Sequence, residues 1–85
     1  LGKDKLLLKI QNNQKNIRFA TFISLIKAFG FTPVRTKGSH HIFERADIFE
    51  MVNVQDDNGK AKPYQIKQFL SLVEKYDLRL EGLNE

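Results

Sequence analysis

Apolar residues recur along this chain with two different periods. At the start, Leu6, Leu7 and Ile10 share one stripe of a short helix over KDKLLLKIQ, and the polar NNQKN run ends it. Phe19, Phe22, Ile23, Ile26 and Phe29 then follow at helical spacing through IRFATFISLIKAFG. Gly30 stands just past the last of them, where a helix stop belongs. These phenylalanines read as core. From Phe31 the period drops to two. FTPVRTK alternates, with Thr32, Val34 and Thr36 on one face and Phe31, Arg35 and Lys37 on the other. HHIFER is a second strand, and Gly38–Ser39 between the two mark a tight hairpin turn. FEMVNVQ is a third, with Val52 and Val54 on one face. DDNGKAKP reads as a loop turning at Asn58–Gly59, and Pro63 sits where the first residue of a helix would be. YQIKQFLSLVEKYDL then places Ile66, Phe69, Leu70 and Val73 on one stripe. The order α-α-β-β-β-α predicts an α+β fold. Its simplest form is a three-stranded antiparallel meander with helices on one face and solvent on the other.

Length makes this a single domain, residues 1–85. A chain of this size buries only about 60–65% of its unfolded surface, so each large apolar side chain matters. The net charge of +4 is unevenly spread. Residues 1–45 carry nine Lys and Arg against two acids, and residues 46–85 carry five against eight. That asymmetry suggests one face for a polyanion and another for a different partner. The absence of cysteine excludes disulfides and thiolate metal sites and suits a reducing cytoplasm. No apolar run approaches the ~18–20 residues of a membrane span. No signal-peptide pattern is seen either, so a cytoplasmic protein without a membrane partner is expected.

The chain's two histidines, His40 and His41, stand together in RTKGSHHIF. Alternation puts His40, Ile42 and Glu44 on one face of the second strand and His41, Phe43 and Arg45 on the other. Each face carries one large apolar residue, so the pattern alone does not choose between them. If Val34 and Ile42 turn toward the helices, His41 and Phe43 lie on the open face with Arg35 and Lys37. An imidazole titrates near neutrality, and neighbouring cations favour the neutral form that a general base needs. Cations can also hold a phosphate and stabilise charge developing on it. RNA carries its own nucleophile, the 2′-hydroxyl, so one histidine and a few cations suffice to cleave it without a metal. The alternative is a hydrogen-bonded structural pair beside a hairpin. The sequence shows no metal-ligand spacing, no Gly-rich phosphate loop and no Ser or Cys nucleophile motif.

NIRF, AFGF, RTKGSHHIF, NVQ and GKAKPYQIKQFLSLVEKYDL together resemble the HicA toxins, the mRNA-cleaving halves of bacterial HicA–HicB toxin–antitoxin pairs. The likeness runs from about Asn16 to Leu78, and KGSHH is its most specific element. It implies a fold like a double-stranded-RNA-binding domain, a metal-independent endoribonuclease without cofactor, an mRNA substrate and a HicB-type antitoxin. The motif's catalytic histidine matches His41; the position of His40 varies, which makes it the second candidate. Arg35, Lys37, Gly38 and Ser39 around the hairpin, with Lys60, Lys62 and Lys67 before and on the last helix, are the expected RNA-binding residues. An inhibitor is expected to cover His41 through an apolar centre at Phe43. Two departures stand out. Residues 1–15 form an extra basic segment, and NVQDDNGKAKPYQ replaces the proline- and histidine-bearing stretch of shorter members. No third histidine is left to protonate the leaving oxygen. A non-catalytic RNA-binding module is the main alternative, and a purely protein-binding domain a third.

Overall fold

The computed structural model describes residues 2–81, with side chains from Lys5 onward. Six elements follow one another: α1 (Gly2–Asn12), α2 (Phe19–Ala28), β1 (Thr32–Lys37), β2 (His40–Glu44), β3 (Val52–Gln55) and α3 (Pro63–Lys75). The strands form one antiparallel sheet in the order β1-β2-β3. The expected α-α-β-β-β-α order and α+β class are therefore what the chain adopts.

The core lies between the helices and one face of the sheet. Phe22, Leu25 and Ile26 of α2, Ile66 and Phe69 of α3, and Phe43, Val52 and Val54 of the sheet are all buried in it. Phe69 is its aromatic hub, with edge contacts to Phe22, Phe29 and Phe31 at ring distances of 5.8, 5.7 and 5.6 Å. Ile10 of α1 is fully buried in the same cluster. Helix α1 thus contributes to the core through Ile10, with Leu6 and Leu7 packed against it.

Local chemistry sets the element ends. Helix α2 closes where Gly30 takes φ +89°. The amides of Gly30 and Phe31 bond back to the carbonyls of Lys27 and Ile26, the latter shared with the Phe29 amide, as a glycine-closed helix end requires. Arg45, at the end of β2, adds an Nη1 bond of 2.7 Å to the Phe29 carbonyl. Pro63 opens α3, where its missing N–H costs no helix bond. Strand β3 is shorter than its sequence pattern: Phe49 to Met51 lie outside it, with Phe49 95% exposed. Lys75 and Tyr76, at the end of α3, both bond the Glu50 carboxylate in that loop. The Lys75 ammonium, then the Tyr76 hydroxyl, hold the Glu50 carboxyl below its ordinary range. The same bonds push Lys75 and Tyr76 upward.

Candidate active site

The β1–β2 hairpin turns at Gly38–Ser39, with Lys37 directly opposite His40. Gly38 takes φ +61°, the value the first residue of a two-residue hairpin turn needs and one that glycine adopts without strain. Ser39 ties the turn to the third strand. Its hydroxyl accepts a bond from Gln55 Nε2 at 3.2 Å, and its carbonyl accepts the Asp56 amide at 2.9 Å.

The pairing then departs from simple alternation. Pro33 lies opposite Phe43 and Arg35 opposite Ile42, which leaves Val34 without a partner. Val34 is a β-bulge beside a proline on an edge strand, where the missing proline N–H breaks no ladder bond. The extra residue changes only Thr32 and Pro33, which meet Glu44 and Phe43; Thr36 faces His41 and Lys37 faces His40 as the two-residue turn dictates. Opposed residues share a face. Thr36, His41 and Val54 therefore fall with Pro33, Phe43 and Val52, and Phe43, Val52 and Val54 are buried against the helices. Arg35, Lys37, His40, Ile42 and Asn53 share the open side, where they line a shallow depression.

This overturns the expected orientation. Val34 and Ile42 do not face the helices; Val34 is exposed and Ile42 half-buried on the open side. His41 is not between Arg35 and Lys37. Phe43 is 2% exposed and cannot be the apolar centre of a partner surface.

His41 is held on the helix side by two contacts. Its ring lies 4.9 Å from that of Phe19, the first residue of α2, tilted by 54°. Its Nδ1 lies 3.4 Å from Thr36 Oγ1 across the hairpin. The ring is half-buried, and no described side chain bonds Nε2. His40 is exposed on the other face, its Nδ1 3.4 Å from Asn53 Oδ1. The sheet separates the two histidines, so they do not act on one phosphate together.

The cations divide in the same way. Arg35 and Lys37 belong to the His40 side. Lys60 and Lys62 precede α3 in a segment that runs against the start of α2: the Phe19 amide bonds the Gly59 carbonyl and the Ala61 amide bonds the Ile17 carbonyl, both at 2.8 Å. Lys67 is exposed on α3. Two residues at His41 were not expected there. Phe19 reads from its spacing as core alone, and Thr36 is brought opposite His41 by the two-residue turn at Gly38–Ser39. Among the described residues, no three His, Asp or Glu side chains come together as a metal cage.

Residues 19–74 match the family model described as the HicA toxin of bacterial toxin–antitoxin systems. The chain belongs to the HicA toxin family. No curated protein and no solved structure matches it. The matched stretch runs from Phe19 through His41 to Glu74, so it contains the whole constellation around His41 and leaves α1 outside. Membership makes this HicA chain the toxin of a toxin–antitoxin pair. Among the described residues no helix is long and apolar enough to cross a membrane.

Proposed function

We propose that this toxin is a metal-independent endoribonuclease that cleaves mRNA with His41 as the proton-transfer group. The observation that carries the reading is the mounting of His41. The imidazole is held by an aromatic ring on one side and a hydroxyl near Nδ1, while among the described residues none bonds Nε2. A ring held this way can present one nitrogen to a bound phosphodiester at a constant angle. Nε2 takes the proton of the 2′-hydroxyl as its oxygen attacks the adjacent phosphorus. The new P–O2′ bond forms, the P–O5′ bond breaks, and the leaving 5′-oxygen takes a proton from the imidazolium or from water. The products are a 2′,3′-cyclic phosphate and a 5′-hydroxyl. The nucleophile belongs to the substrate, so the step needs no metal. Lys60 and Lys62 serve as phosphate contacts on the His41 side, with Lys67 further along α3. Arg35, Lys37 and His40 line the opposite face and are assigned no part in the proton transfer.

The partner in this reading is a HicB-type antitoxin that covers His41, its acidic side chains meeting the lysines before α3 and speeding association. The test is purified His41→Ala protein against a defined RNA, with end-group analysis and an EDTA arm. Loss of cleavage with the fold retained, cyclic-phosphate ends and indifference to EDTA are expected. Cleavage by His41→Ala at the wild-type rate removes His41 from the chemistry, and strict magnesium dependence removes the metal-free step. RNA binding without any cleavage by the wild type leaves a binding module.

A further inference from the structure

We propose that Arg18 and Lys60 form a phosphate clamp at the edge of the His41 site; the assignment rests on the RNA-cleaving reading above. Arg18 is the residue before Phe19, whose ring touches His41. It stands opposite Lys60 in an isolated antiparallel bridge. The two bonds of that bridge join the flanking residues, Phe19 to Gly59 and Ala61 to Ile17. Arg18 and Lys60 are therefore a non-hydrogen-bonded pair, the kind in which side chains come closest, with Cα atoms about 4.5 Å apart. Their neighbours Ile17, Phe19 and Ala61 are buried, so Arg18 and Lys60 project outward together.

Two cations in this register repel, and like charges directly opposed destabilise a pairing. The surroundings do not relieve them. Among the described residues Arg18 makes no ion pair, and Lys60 Nζ bonds only the Asn16 amide oxygen, at 3.1 Å. Asp57 faces Lys60 across the 57–60 turn, but no ion pair joins them. Arg18 is also the N-cap of α2, without a side-chain cap bond and with no acid in the first turn. A positive charge there opposes the helix dipole. Lys62 repeats the arrangement as the N-cap of α3. An anion bound between Arg18 and Lys60 relieves the repulsion, and a phosphodiester offers oxygens to both. RNA is taken as the occupant because the pair lies on the His41 side, where the scissile phosphodiester must sit; an antitoxin covering that site meets the same cations in competition with it.

The experiment measures binding of a short fluorescein-labelled oligoribonucleotide to the full chain carrying His41→Ala, over a range of salt concentrations. Arg18→Gln and Lys60→Gln are each expected to lower the salt slope by about 0.7, and the double variant by about 1.4. Lys27→Gln, at the other end of α2, is the charge-matched control and is expected to leave the slope unchanged. Arg18→Gln is also expected to hold or raise Tm, since it removes repulsion, whereas loss of a structural arginine lowers it. An unchanged slope in both single variants overturns the clamp, as does a slope change matched by Lys27→Gln. If slopes are unchanged and the variants instead bind the antitoxin less tightly, the pair is a protein contact and the proposal fails. A 2′-O-methyl version of the oligonucleotide, which lacks the nucleophile, keeps the binding readout valid if His41→Ala still cleaves; that result sinks the catalytic reading alone.

Discussion

Replacing Phe19 by leucine separates the two tasks of that ring. Phe19 is 6% exposed, so the change removes packing from the core as well as the face lying 4.9 Å from His41. A hydrophobic swap of similar size costs up to about 1.5 kcal/mol, and loss of the ring–ring contact adds about 0.5–1.5 kcal/mol. An 85-residue domain has about 4–13 kcal/mol of stability, so the variant stays mostly folded. The imidazole then has its Thr36 contact alone. If its χ1 spreads evenly over the three staggered wells, the productive fraction falls to about one third. The assay pairs urea unfolding with single-turnover cleavage of a labelled RNA at saturating protein. The expected result is an unfolding loss of about 0.5–3 kcal/mol with cleavage about threefold slower. Phe22→Leu is the control, because Phe22 is fully buried and its ring contact is with Phe69. It should lose comparable stability and cleave normally. Equal cleavage by wild type and Phe19→Leu, or equal slowing by Phe22→Leu, would show that the Phe19 ring does not position His41.

Ile10→Ala should cost about 2–5 kcal/mol, the range for truncating a buried aliphatic, and a loss under about 0.5 kcal/mol in urea would mean that α1 is not part of the core. Gly38→Ala meets nothing within 4 Å but is forced to φ +61°. The expected loss is about 1–2 kcal/mol, seen as a lower Tm, and an unchanged Tm would contradict the strained turn. Glu50→Gln should lower Tm at neutral pH. The Glu50 carboxyl is held below its ordinary value of 4.5, so its contribution is present above that value and disappears as pH falls through the folded pKa. Thermal melts of both proteins should therefore converge in acid, and a gap that stays constant with pH would show that the Glu50 charge is not its source.

The sequence by itself determined the order and type of the elements, because the two periods depend only on which residues are apolar. It also determined the stops: Gly30, the Gly38–Ser39 turn and Pro63 each satisfy a backbone requirement that few other residues meet. KGSHH marked the hairpin as the place to look for chemistry, and the family match covers that hairpin. The face on which His41 lies was decided only by the tertiary structure. Strand β2 carries Ile42 on one side and Phe43 on the other, so burying either was consistent with its alternation. The bulge at Val34 does not make the choice either, because it lies in β1 beyond Arg35 and leaves the faces of β2 as its own alternation sets them. Packing resolved it. Phe43, Val52 and Val54 together fill the space beneath Phe22 and Phe69, whereas the other face offers only Ile42 among the polar Arg35, Lys37, His40 and Asn53. The same step carried His41 to Phe19 and His40 to Asn53. Contacts across such distances in the chain, like that between Arg18 and Lys60, exist only once the whole core has closed.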